Sequence, residues 1–163
     1  MTIVLKNHRK VFKDNCLNSG VQEEKHVVAI QEVLRTIEQA LDDKAGLLSY
    51  QRRIMSMLSL GTQHLIELYL HRTASIQPGA QIKHEWLKLS ATHLRERIQP
   101  ALTKEFQLVP SLSEICFIAR KIETERNDAV YGAPLINDVI LRKSIDAFLQ
   151  AKKIVEEQTG KII

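Results

Sequence analysis

Arg126 is the residue whose position is hardest to explain by packing alone. In the stretch that opens at Ser111, the residues Ile115, Ala119, Ile122, Arg126 and Ala129 fall on one narrow line when projected at about 100° per residue. Arg126 therefore stands where the apolar stripe calls for a hydrocarbon side chain. A guanidinium keeps its proton in such a place, so it needs a charged partner or a wet cleft. Asn127, Asp128 and Tyr131 follow directly, and Gly132 then interrupts the helix. A fixed charge on the apolar line, polar neighbours and a chain break together mark a site. The alternative is a structural Arg that snorkels to solvent or pairs with a carboxylate of another helix.

A second group lies upstream. His64, Glu67 and His71 are three and four residues apart and sit within about 60° of one another on a helix. Two imidazoles and a carboxylate on one face are ligands that zinc or iron accepts. The spacing is neither the HExxH of metalloproteases nor the paired ExxH of diiron bundles. His84 and His93 are further imidazoles that such a site could recruit. The alternative is a polar helix flank, with Glu67 bridging to Arg126 and so satisfying two awkward charges at once.

The elements that carry these residues follow from hydrophobic periodicity. Val27, Ile30, Val33/Leu34, Ile37 and Leu41 recur at three- and four-residue steps, which predicts a helix over 22–44 with a stop at Gly46. A second helix is expected over 47–72. It is apolar on two sides, one running Ile54, Leu58, Gly61, Leu65, Leu68 and the other Leu48, Met55, Ser59, Thr62, Ile66, Leu70. Such a helix is central in its bundle or sits at a subunit interface. Gly61 on that stripe costs about 1 kcal/mol of helix propensity against Ala, which a close helix crossing would explain. Pro78-Gly79 marks a turn, and a helix is expected from about His84 to Ile98. Ser111-Leu112-Ser113-Glu114 has the form of a capping box. Gly132-Ala133-Pro134 ends that helix, and a last one runs to about Thr159 with Gly160 beyond it. No stretch alternates as a strand does.

These elements describe an all-α protein, a four- to five-helix antiparallel up-and-down bundle over 22–163, preceded by a basic arm over 1–21. Its 163 residues suit one domain with a real core. The net charge of +4 permits a nucleotide or nucleic-acid partner without the dense basic stripe of a duplex binder. Cys16 and Cys116 share no metal-type spacing and suit reduced thiols in a cytoplasmic protein. No signal-peptide pattern is present, and no apolar run approaches the roughly 20 residues of a membrane span.

The stretch from Ala119 to Gly132, with its Arg126-Asn127 followed by Asp128 and Tyr131-Gly132, resembles the late-helix signature of HEPN domains. A long amphipathic helix follows, as in that family. The stretch Gly61 to Leu70, with Glu67 in an apolar run, is similar to the family's second helix, and Ile82-Lys83-His84-Glu85 stands where a Lys/His-bearing turn is common. The resemblance covers about residues 47–158. It implies a helical module that binds nucleotide or RNA through Arg126, Asn127, Asp128 and Tyr131, with Glu67 and His64 contributing from the second helix. Ribonuclease members, including toxins of toxin–antitoxin pairs, follow their Arg by a His, and here Tyr131 takes that place. Tyr titrates near pH ~10 and His near ~6.5, so Tyr131 is a poor base at neutral pH. The resemblance thus implies a non-catalytic module with no cofactor, acting as a homodimer or with a minimal nucleotidyltransferase. The alternatives are a metal-independent ribonuclease using Arg126 and Tyr131, with His64, His71 or His84 standing in for the missing His, and a metal-binding bundle using His64, Glu67 and His71.

Overall fold

The computed structural model describes the backbone of residues 3–163 and the side chains from residue 22 onward. It contains five α-helices: α1 (Ile3–Asp42), α2 (Gln51–Arg72), α3 (Ala91–Ile98), α4 (Leu112–Tyr131) and α5 (Val139–Thr159). No strand forms among the described residues, only an isolated bridge between Ile76 and Leu102. The all-α bundle expected from the sequence is the fold. None of the described helices is long and apolar enough to cross a membrane.

Boundaries differ from the sequence expectation at three places. The backbone helix expected from residue 22 starts at Ile3, so the segment assigned to a basic arm continues into α1. Its basic side chains, Lys6 to Lys13, lie outside those described. The single helix expected over 84–98 is two pieces, a 3-10 turn at His84–Lys88 and α3. Ser90 separates them, its Oγ accepting the His93 N–H at 3.3 Å as an N-cap. Ser111 does not close a capping box. It adopts a left-handed φ of 55° with no side-chain cap, so α4 is entered through a tight turn.

α2 packs against α1, α4 and α5. Its two apolar faces are thereby both covered within one chain, and the two-sidedness that suggested a subunit interface is accounted for by a central position. Ile54, Leu58, Leu65, Leu68, Met55, Ile66 and Leu70 are all fully buried. The buried line of α1 is His26, Ile30, Val33, Ile37 and Ala40. It is rotated slightly from the expected one, leaving Leu41 half exposed.

The close crossing expected at Gly61 is present. A Cβ there would meet Phe148 Cε2 at 2.7 Å and Val33 Cγ2 at 2.9 Å, so α1 and α5 both press on this point of α2. Phe148 and Val33 are themselves core residues, 0% and 1% exposed. Overpacking of that kind costs about 1–3 kcal/mol, against a helix-propensity gain of roughly 1 kcal/mol for Ala. Gly61→Ala is therefore expected to lower the urea midpoint, with Gly61→Val markedly worse. A stabilised Ala variant would show that α1 and α5 do not close on α2 as described.

Cys116 is buried on α4 as expected, and burial pushes its thiol up to about 12. Almost no thiolate exists at pH 8. In a Cys16→Ser background, a disulfide reagent at pH 8 should leave the native protein unlabelled and titrate one thiol in 6 M guanidinium. Rapid native labelling would contradict this burial.

Candidate functional site

The polar residues singled out in the sequence do not form one site. They divide into two clusters on opposite stretches of α2.

The first surrounds Glu123 of α4, whose carboxylate is 1% exposed. A buried carboxylate must be met by donors or cations, and three elements supply them. From α2, Ser59 Oγ–H donates to Oε2. From the 3-10 turn, His84 Nε2 lies 3.0 Å from Oε2 and Lys88 Nζ 3.8 Å from Oε1. From α4 itself, Arg126 Nη1 donates to Oε1 at 3.2 Å. His84 Nε2 also lies 2.6 Å from Ser59 Oγ. This is not a nucleophile–base–acid relay, because one ring nitrogen serves both partners and Ser59 is fully buried.

Arg126 sits at the mouth of this cluster, its side chain 16% exposed. Its carboxylate is Glu123, one turn back, and not Glu67. The expected Glu67–Arg126 bridge is replaced by separate partners for each. Tyr131 stands beside it, 74% exposed, with the guanidinium carbon 5.7 Å from its ring centre. Asn127 is half-buried and Asp128 is exposed. Asp128 contributes through its backbone carbonyl, which accepts the Gly132 N–H at 2.9 Å. A Cβ at position 132 would lie 2.4 Å from that same oxygen, so glycine is required where the helix stops. Gln51 fixes the turn that follows. Its amide donates to Ala129 O at 3.2 Å and accepts the Leu135 N–H at 3.0 Å. Arg120 fixes the opposite wall, donating from Nε to Leu89 O at 2.7 Å just beyond Lys88.

The second cluster is built on Glu67, His64 and His71 of α2, with a member the sequence reading missed, His26 of α1. His26 is 2% exposed. Its Nε2 lies 3.2 Å from Glu67 Oε2, and its Nδ1 lies 2.9 Å from His64 Nδ1. The ring of His71 stacks on that of His26, with centres 5.5 Å apart. Glu67 Oε1 accepts the Ile82 N–H at 2.7 Å, and Gln63 Nε2 donates to Ile82 O at 2.8 Å. These groups line a cavity of about 470 Å³, closed on its other side by the Ala74–Gln81 loop and rimmed by Lys25. Burial, together with the neighbouring His64, His71 and Lys25, lowers the His26 imidazole to about 4. Burial also lowers His64 and His71, and it raises Glu67.

Two sequence signals pointed to the missed members. His26 lies one step before Ile30 on the buried line of α1, and Glu123 lies on the Cys116–Ala119 line of α4. Each is a polar residue at an apolar position, the property that singled out Arg126.

The lowered His26 value has a consequence for stability. Its folded-state value lies below the ordinary ~6.5, so the unfolded chain takes up the proton first. The stability associated with neutral His26 is complete above about pH 6.5 and is lost as pH falls towards 4. Between pH 7 and pH 5 the His26 share of that loss should be about 2 kcal/mol, with the lowered His64 and His71 adding to it and the raised Glu67 opposing it. Urea unfolding in EDTA at the two pH values measures the sum, and a His26→Gln variant, which keeps His64 and His71, should show a smaller drop. Equal drops in both proteins would assign the acid sensitivity elsewhere. Compared with known proteins, this chain matches no family model, no curated protein and no solved structure.

Proposed function

We propose that this chain is a HEPN-like, non-catalytic module that binds a nucleotide or a short stretch of RNA at the Arg126 cluster. The observation that carries the reading is the arrangement at the end of α4. Buried Glu123 holds the Arg126 guanidinium at a surface opening, beside the exposed ring of Tyr131 and the cationic Lys88.

The chemistry fits a nucleotide in two parts. Among the described residues, Glu123 is the hydrogen-bond partner of Arg126 and engages one guanidinium nitrogen, so the remaining donors can reach a phosphate. Lys88, nearly half exposed, adds a second positive charge from the facing turn. Arg126 and Lys88 offset the Glu123 carboxylate and the exposed Asp128 beside them, and their free donors give an anion a point of attachment. Tyr131 offers its ring face to a base, a contact that tolerates any sequence. Glu67 and His64, which the family resemblance placed in the same site, belong to the His26 cluster and are left out of this reading.

The resemblance also implies a partner, either a second copy of the chain or a minimal nucleotidyltransferase. Ile136, Val139 and Ile140 are exposed in the segment directly after Tyr131. This apolar surface borders the proposed nucleotide site and is where we place that contact. A ribonuclease of the toxin type is the second reading. It is favoured by His84, since this histidine, and not His64 or His71, stands within the Glu123–Arg126 cluster.

The test avoids Arg126, whose removal would also strip Glu123 of its guanidinium. Fluorescence anisotropy with a labelled short RNA and with mononucleotides, in EDTA, compares wild type with Tyr131→Ala and Lys88→Ala. Loss of one stacked base is expected to weaken binding about 5- to 100-fold in Tyr131→Ala. Lys88→Ala is expected to weaken binding and flatten its salt dependence. The same mixtures run on a gel report cleavage. Cutting by wild type that disappears in His84→Asn would replace the non-catalytic reading by the ribonuclease one. Absence of binding to every probe, or binding indifferent to both variants, would overturn the site.

A further inference from the structure

The geometry points to a divalent transition-metal site formed by His26 of α1 with His64 and Glu67 of α2, its open coordination position facing the 470 Å³ cavity. This site is separate from the Arg126 cluster and does not depend on the nucleotide reading.

One ligand atom from each of the three residues can be chosen so that all lie within 4.8 Å of one another. Ligand atoms around a tetrahedral ion, at about 2.0–2.1 Å from it, stand roughly 3.3–3.4 Å apart. The direct contacts here, 2.9 Å between His26 Nδ1 and His64 Nδ1 and 3.2 Å between His26 Nε2 and Glu67 Oε2, use opposite nitrogens of the His26 ring, and one ion can take only one of them. With the chosen ligand atoms all within 4.8 Å of one another, turning the His26 and His64 rings has to close the longest pair by up to about 1.4 Å to reach that spacing. Two imidazoles and one carboxylate form the set that binds zinc in hydrolytic sites and iron(II) in facial triads, and it is too nitrogen-rich for calcium or magnesium. The alternative occupant of these contacts is hydrogen, in a chain from Glu67 through His26 to His64.

The surroundings favour the ion in three ways. Glu67 offers Oε2 to His26 and keeps Oε1 on the Ile82 N–H, so its carboxylate is already oriented by the backbone. A dication would offset the charge that burial of this carboxylate leaves within reach of no described Lys or Arg nitrogen at ion-pair distance. All three residues line the cavity, so a water or a small anion can complete the coordination. Lys25 at the rim suits an anionic fourth ligand. His71 stacks on His26 and does not join the ligand set. The metal arrangement expected from the sequence, His64 with Glu67 and His71, is thus replaced by one that crosses between two helices.

The experiment uses the full chain, purified without a tag and stripped with EDTA. Cobalt(II) is titrated in and followed by visible absorption, then displaced by zinc, with thermal unfolding measured at each stage. One equivalent of cobalt is expected to give visible ligand-field bands and to raise the melting temperature, since the ion binds only the folded chain. Zinc should abolish the bands and keep the melting shift. His64→Gln removes a ligand that is only half-buried, and should weaken cobalt binding by more than about 100-fold while circular dichroism stays native. His71→Gln, outside the ligand set, should retain the bands. No bands and no melting shift in wild type would leave the hydrogen-bonded chain as the function of these residues and overturn the site. Bands that survive in His64→Gln would place the metal elsewhere and overturn it equally.

Discussion

One constraint organises the polar half of this bundle: a carboxylate, Glu123, is placed in the core of α4. A buried carboxylate is tolerated only where donors and cations reach it. Here they come from three separate pieces of chain: Ser59 on α2, His84 and Lys88 on the 3-10 turn, and Arg126 one turn along α4. Satisfying Glu123 therefore fixes the register of α2 against α4 and draws the long connector between them inward. Glu67 acts on the same connector from the other side. Its Oε1 takes the Ile82 N–H, two residues before His84. The segment Ile82–Lys88 is thus pinned at both ends by carboxylates, and it would otherwise be an exposed loop free to choose among many conformations.

The helices were legible because their cores repeat at three- and four-residue steps, and burial of a whole stripe leaves a signal many residues long. Gly61 was legible for a related reason, since a helix breaker in the middle of an apolar stripe needs a packing explanation, and Phe148 and Val33 supply it. The connector was not legible. The break at Leu89-Ser90 rests on one side-chain cap and on Arg120 reaching Leu89 O, and neither has a period. Ser111 misled for the opposite reason. Its sequence matches a capping box, yet the tight turn after Pro110 puts it in the left-handed region, where its hydroxyl cannot serve the first turn.

The candidate sites were legible as isolated oddities and not as assemblies. Periodicity marks a polar residue at an apolar position, and it marked Arg126. It does not say which partner arrives from another helix. A Glu67–Arg126 pair satisfies both charges using only residues that periodicity marks. The chain solves them separately, because Glu123 and His26 are themselves polar residues on buried lines. Applying the criterion to every helix, and not only to the one with a recognisable motif, would have found both. What no single-helix projection can find is Ser59 with His84, since that contact exists only after the connector has folded.

The connector also gives the two clusters a common mechanical element. Ser59 and Glu67 are eight residues apart on α2, about 12 Å along its axis. That distance is too long for direct contact between the clusters and short enough for one piece of chain to bridge. Ile82 is held by Glu67 and Gln63 at one end, while His84 and Lys88 face Glu123 at the other. Glu67 and Glu123 are thus both tied to the one short strap Ile82–Lys88. The placement of the cationic opening beside Tyr131 is in this sense set by two buried carboxylates, one at each end of the same strap, and not by the Arg126 motif alone.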